Sequence, residues 1–270
     1  MAAIENEHEI RIISMARSGH HGMVIWAAGC LSGPVLFHNH VNRGDKTTGS
    51  SKPRYYILDG TVAAQRACEP QQVAGENSRR PAYLLNTEDA DLSVLPAMFE
   101  SDAWQTRCGV SRRIVYCLFH RDPYNLFASR LRYHHQTRMV TDKMSSMWKQ
   151  YAREFLGQTR YLPEGTAHVL YNDWVSSEVY RQNVAAQLGI PFSDRWRDCV
   201  TNWGGGSSFD GLKYNGSANR MPVLTRWRSL LTDPRFVELM RDDEIHALAK
   251  SMLGEDRWNR EFGEAVMIGG

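Results

Sequence analysis

The sequence predicts an α/β fold, a central and mainly parallel sheet covered by helices on both faces. Three observations carry this expectation. Short apolar runs alternate along the chain with longer amphipathic ones, the order that βαβ units produce. The runs at residues 10–15 and 112–120 are short and rich in β-branched residues, which suits strands buried in a parallel sheet. Of the 270 residues, 42% are hydrophobic and 23% charged, so a sizeable core can form and global disorder is excluded. One domain spanning residues 1–270 is expected.

The elements follow in order. Ile10–Met15 is the first strand, and His21–Leu31, with Met23, Val24, Ile25, Trp26 and Ala27, is a largely buried helix. Residues 38–54 are polar with turn formers and read as a loop. YYILDG reads as a second strand with Asp59 at its carboxyl end. After a loop at 69–81, AYLLNTED is a third strand, with Glu88 and Asp89 just past its end. RRIVYCLFHRDP, from Arg112, is the strongest strand, and Pro123 suits the first position of the helix that follows. Residues 141–157 are an amphipathic helix and TAHVLYNDW is a fifth strand. SSEVYRQNVAAQLG is a helix with a serine start and a glycine stop. Residues 202–220 are rich in Gly, Ser and Asn and read as a flexible loop or linker. From Pro222 onward the chain is mostly helical.

The formal net charge of +2 argues against a nucleic-acid partner, although a local basic patch can still hold an anion. Five cysteines, an odd number with no C-x-x-C pair, argue against a disulfide framework or structural zinc and fit a reducing compartment. The acidic start, MAAIENEHEI, has no signal-peptide pattern. Apolar runs break well before the roughly 18 residues of a membrane span. A cytoplasmic protein without stable membrane insertion is the expectation.

Ligands of parallel α/β sheets bind beyond the carboxyl ends of the strands. That rule sets Arg17–Gly22, Asp59, Glu88, Arg121 and the loop after Tyr171 along one edge. In ARSGHHG a strand ends and a helix begins at once. The first amides of a helix have no intrahelical partner, and they lie at the positive end of its dipole. Gly19 and Gly22 allow an anion close to the backbone, and the Arg17 guanidinium can fork onto two oxygens. The plainer alternative is an ordinary strand-to-helix turn with two exposed histidines. In FHRDPYNLFASR, Arg121 stands at a strand end and Ser129 eight residues later. They are either a second phosphate clamp or a helix cap beside a surface ion pair.

Together these motifs resemble the sulfotransferase family, whose donor is 3′-phosphoadenosine 5′-phosphosulfate. ARSGHHG stands where the family has its R/K-S-G-T-T loop, and VYCLFHRDPYNLFAS matches its strand–Arg–Ser spacing. VLYNDW, AAQLGIPF and WGGGSSFDG follow in the family's order, so the likeness covers roughly residues 8–22 and 80–215. The resemblance implies a three-layer P-loop-like fold. It also implies that Arg17, Ser18, Gly19, His20, His21 and Gly22 hold the 5′-phosphosulfate. Arg121 and Ser129 would hold the 3′-phosphate, and Tyr171 would touch the adenine. Gly205, Gly206, Ser207 and Ser208 would close over the 3′ end, with residues 202–220 as a mobile cover. His20 and His21 replace the family's threonines, and Gly22 its stacking aromatic, so Trp203 or Phe209 is left to stack on adenine, or no ring does.

Sulfuryl transfer needs a general base for the acceptor hydroxyl and positive charge on the leaving phosphate oxygen. RPAYLLNTEDADLSVLP resembles the segment in which soluble members carry Lys-Thr-His, and Glu88 falls at the histidine. Glu88 is the first candidate base, Asp59 the second and His20 the third; an inert first-turn acid is the alternative for Glu88. Asn86 stands where a lysine often assists, leaving that task to Arg17. No metal is required on this reading. Residues 130–143 read as a solvated basic helix face, His38 and His40 as loop residues lacking a third metal ligand, and Met144, Met147 and Trp148 as core. Arg226 or Arg228 can reach a phosphate. A small-molecule, glycan or lipid hydroxyl is the expected acceptor. The rival readings are a nucleotide-dependent kinase, against which the missing Gly-Lys-Ser/Thr counts, and a non-catalytic anion-binding module.

Overall fold

The computed structural model describes residues 5–33, 35–41, 54–58, 66–67, 79–133 and 141–266. Seven strands form one sheet: β1 (Glu5–Ser14), β2 (Val35–Asn39), β3 (Arg54–Leu58), β4 (Arg66–Ala67), β5 (Arg79–Glu88), β6 (Val110–His120) and β7 (Ala167–Leu170). Their order is β4-β3-β2-β5-β1-β6-β7. The five strands β2, β5, β1, β6 and β7 run parallel, while β3 and β4 join one edge antiparallel.

Strand periodicity divides the core in two, because alternate side chains point to opposite faces. Ile13 and Met15, Tyr83 and Leu85, and Leu118 face one layer; Ile10 and Ile12, Leu84, and Cys117 and Phe119 face the other. The first layer holds α2 (Leu95–Glu100), α3 (Asp102–Cys108), α4 (Pro123–Tyr133), α5 (Thr141–Phe155), α8 (Pro234–Leu239), α9 (Asp243–Leu253) and α10 (Glu255–Val266). The second is built by α1 (His20–Cys30), α6 (Tyr171–Ser176) and α7 (Glu178–Leu188), with Val24, Trp26, Val184 and Leu188 at its centre. Three layers result, as the sequence predicts. Met144 and Trp148 are core residues.

The structure corrects several local readings. His38 and Asn39 belong to β2, not to a loop. The fifth strand stops at Leu170, and the YNDW that follows is the start of α6. The strand before Asp59 runs antiparallel, so its last residue, Leu58, pairs with Val35 at the start of β2. That is the edge opposite the carboxyl ends of the parallel strands; Asp59 itself lies outside the described residues. Arg130 is 2% exposed, so it is no part of a solvated face. Residues 202–220 fold as short 3-10 turns and a Ser207–Gly211 bridge rather than as an interdomain linker.

Ser177 caps α7 by accepting the Tyr180 amide at 3.1 Å, and Gly189 ends it in the left-handed region. Cys30, Cys108, Cys117 and Cys199 are free thiols. Among the described residues, no helix is long and apolar enough to cross a membrane.

Candidate active site

The turn between β1 and α1 is held by its backbone and by a buried brace. The Ser18 amide donates to Met15 O at 3.2 Å, and the chain passes through positive φ at Arg17 (69°) and Gly19 (96°). A Cβ at Gly19 would overlap the Tyr171 ring, so this position requires glycine on two counts. No described side chain caps the first turn of α1. Asp89 accepts the Ala16 amide at 3.0 Å, and Arg130 donates to the two Asp89 oxygens at 2.6 and 3.2 Å. Arg130 also reaches Ala16 O at 3.2 Å, so the turn is gripped from below by an ion pair that the sequence did not suggest. The Arg17 side chain crosses to the 202–220 segment, donating to Ser208 Oγ at 2.6 Å and Gly206 O at 2.9 Å, and lies over the Tyr133 ring.

A second set of cations sits beside this turn. Arg121 donates through Nη1 to Arg17 O at 3.3 Å and to Ser129 Oγ at 3.4 Å, and through Nη2 to Val223 O at 2.6 Å. Its guanidinium carbon lies 4.4 Å from the Tyr171 ring centre. The next residue explains its rigidity. Asp122 accepts the Asn125 amide at 2.8 Å, starting α4, and its other oxygen accepts Asn172 Nδ2 at 2.9 Å, which ties β6 to α6. Arg226 pairs with Asp210 and lies over Phe209. The Nε atoms of Arg121 and Arg226 are buried without hydrogen-bond partners. Burial holds the Arg226 guanidinium below its ordinary value, and the nearby Arg121 adds to this.

At the end of β5 the chemistry changes. Glu88 is 4% exposed and lies between histidines. Its Oε1 is 2.7 Å from His20 Nε2 and 3.8 Å from His21 Nε2, and its Oε2 is 3.2 Å from His40 Nδ1. Ser18 Oγ stands 3.3 Å from His20 Nδ1, and Asn39 Oδ1 3.3 Å from His21 Nε2. Asn86 accepts the His40 amide at 2.9 Å, so it places His40 at φ 58° rather than facing a leaving group. Burial alone would raise the Glu88 carboxyl, but His20 and His40 outweigh it and hold it well below the usual range. Burial, and then His20, push His21 well below an ordinary imidazole, so it is neutral at pH 7.

These groups share one cavity of about 680 Å³. Its wall contains Arg17, Gly19, His20, His21 and Gly22 from the first turn, and Arg121, Ser129 and Tyr171 from the second. Glu88 and His40 face it, as do Gly206, Ser207 and Ser208. Ser18 and Gly205 are not in the wall; Ser18 is buried behind it, where its hydroxyl orients His20.

No family model matches the chain, and no curated protein matches it. Among solved structures, the sulfotransferase domain of the olefin synthase of Synechococcus PCC 7002 aligns with 92% of this chain and 95% of that one. The TM-score is 0.55 at 15% identity. The chain has a sulfotransferase-like fold. At this identity the likeness extends to the fold alone, and the site is argued from its own residues.

Within this sulfotransferase-like frame, sequence reasoning missed three contributors. His40 joins Glu88 because β2 pairs with β5. Trp174 lines the cavity with its ring edge against Gly22, 3.5 Å from where a Cβ would stand. Arg197 adds a fourth wall arginine, donating to Val175 O at 2.6 Å. Phe209 lies outside the wall, whereas Trp203 lines it, packed against His21, Phe37 and Tyr56. Helix α6 is what brings Trp174 here: read as strand, YNDW would have pointed it elsewhere. The residues suit a nucleotide with an anion at each end. Orphaned buried guanidinium nitrogens need acceptors, no described side chain caps the start of α1, and Trp174 offers an aromatic surface.

Proposed function

We propose that the protein transfers a sulfuryl group from 3′-phosphoadenosine 5′-phosphosulfate to the hydroxyl of a small-molecule, glycan or lipid acceptor. One observation carries this reading: the Arg17 turn and the Arg121–Ser129 pair meet in one cavity, with Arg121 Nη1 only 3.3 Å from Arg17 O. The guanidiniums of Arg17, Arg121 and Arg226 also repel one another across this wall, and polyanionic oxygens between them relieve that repulsion.

On this reading, Arg17 and the first amides of α1 hold the 5′ end, and Arg17 stabilises charge developing on the departing oxygen. Arg121 and Ser129 hold the 3′-phosphate, Arg226 supports it, and Trp174 with Tyr171 borders the base. The bound donor supplies the sulfuryl group and leaves as the bisphosphate with the electrons of the broken S–O bond. Glu88, ionised and braced by His20 and His40, takes the acceptor's proton as the new O–S bond forms. Arginine and helix amides neutralise the charge without a metal. The Ser208 and Gly206 contacts to Arg17 suit residues 202–220 as a cover that tightens when nucleotide binds. The free thiols suit a reducing, cytoplasmic setting.

Calorimetry with 3′-phosphoadenosine 5′-phosphate against ATP tests this. One-to-one binding of the bisphosphate, with ATP binding far more weakly, is expected. Preference for Mg-ATP, with its turnover, would establish the kinase reading instead. Nucleotide binding with no transfer to any hydroxyl acceptor would leave a binding module.

A further inference from the structure

We propose that the histidine end of the cavity is a binding site for a divalent transition-metal ion such as zinc, held by His20, His21 and the Glu88 carboxylate with His40 beside it. The inference goes beyond the transfer reaction and stands without it. Ligand atoms of His20, His21 and Glu88 lie within 4.8 Å of one another, the one such group of three among the described residues. Around a tetrahedral ion with bonds of about 2.0–2.2 Å, ligand atoms stand about 3–3.6 Å apart. From Glu88 Oε1 the separations are 2.7 Å to His20 Nε2 and 3.8 Å to His21 Nε2, on either side of that span, and His40 Nδ1 stands 3.2 Å from Oε2.

Burial adds a second argument. His20 Nε2 and His40 Nδ1 are buried and stand 2.7 Å and 3.2 Å from the two Glu88 oxygens. Imidazole nitrogens and a carboxylate gathered this closely out of water are the ligand types that zinc takes. Ser18 Oγ, 3.3 Å from His20 Nδ1, is the outer partner that fixes a ligand ring. Imidazole nitrogens with a single carboxylate favour zinc, cobalt, nickel or ferrous iron over magnesium or calcium, which take several oxygens. The competing arrangement has His21 donate Nε2–H to Asn39 Oδ1, 3.3 Å away, with no ion.

A bound ion competes with an acceptor's proton for the Glu88 carboxylate, so the metal-free form is the one expected to transfer. The test uses tag-free, full-length protein stripped with chelator, then titrated with Co²⁺ as a visible-absorption probe and with Zn²⁺ against a competing chelator. One ion per chain is expected, with tetrahedral cobalt absorption that zinc abolishes and magnesium does not. His20→Asn, His21→Asn and Glu88→Gln should each weaken binding by more than about tenfold, a floor set by what even outer-shell changes do to metal affinity. His168→Asn, away from the cluster, should leave binding unchanged. Zinc should raise the melting temperature of wild type and not of Glu88→Gln, a comparison made on variants whose circular dichroism matches wild type. No stoichiometric binding, or binding undiminished in all three variants, overturns the proposal. Bisphosphate binding in chelator without metal binding defeats this inference alone; metal binding without bisphosphate binding defeats only the transfer reading.

Discussion

At its arginine end the cavity fixes charge through backbone. Arg121 donates to the carbonyls of Arg17 and Val223 and to Ser129, and its own carbonyl accepts Trp148 Nε1 at 3.0 Å. At its histidine end, charge is held by side chains alone, with a carboxylate between three imidazoles. A guanidinium does not lose its proton, and donors locked to carbonyls do not reorient. Imidazoles and a carboxylate can exchange protons or ligate an ion. The first end is suited to gripping, the second to chemistry, so binding and turnover should respond to different substitutions.

The sharpest break between the ends is expected in Glu88→Gln. Removing a general base costs about 10²–10⁴-fold in rate. kcat should fall by that factor while calorimetric affinity for the bisphosphate stays within about twofold, the ±0.5 kcal/mol of a neutral change. A fall in affinity of equal size would mean the histidine end also grips. Arg121→Ala should do the reverse. Loss of one charged contact, about 1.5–3 kcal/mol, weakens bisphosphate binding by about 10- to 150-fold. kcat at saturating donor should change little, and an equal loss in kcat would erase the division. Ser129→Ala removes a neutral hydroxyl worth about 0.5–1.5 kcal/mol, so binding should weaken by about 2- to 12-fold with turnover intact.

The arginine end was legible because it is local. Strand, Arg121 and Ser129 lie within twenty residues, so their spacing and the family resemblance it carries suggested the pair, and hydrophobic alternation gave the three layers. The histidine end was only half legible. Glu88 could be placed at a strand end, but His40 reaches it through pairing of Phe37 with Leu84 and His38 with Leu85, a neighbour relation that sequence spacing does not encode. The five-residue β2 was hidden because its last two residues are polar and merge with the loop. Trp174 was hidden because a short apolar run continues from β7 into α6 without a turn residue to mark the change of period. Arg130 looked solvated because its partner, Asp89, lies on a different strand end. The strand that ends at Leu58 was read in the wrong direction because composition does not reveal strand direction.

The smallest effect on the site should come from Asp194, which belongs to neither end. It accepts Trp26 Nε1 at 2.9 Å from α1, and Arg181 Nε at 2.9 Å and Nη2 at 2.6 Å from α7. Arg181 also donates to Trp174 O at 2.8 Å, so the clamp stands behind the cavity wall without facing the cavity. Burial alone would raise the Asp194 carboxyl, but Arg181 and Trp26 outweigh it and hold it below its ordinary value. A carboxyl lowered by folding stabilises the fold fully above its unfolded value of about 3.9, and that contribution is lost as pH falls through the folded value. The melting-temperature gap between wild type and Asp194→Asn should therefore be constant between about pH 5 and 7 and shrink below about pH 4. A gap that persists in acid would show that packing, not the ionised carboxylate, secures α1 to α7. Bisphosphate affinity should stay within about twofold of wild type throughout the neutral range. A loss matching that of Ser129→Ala would place the clamp inside the gripping end, and the boundary between grip and chemistry would then run through the second helical layer.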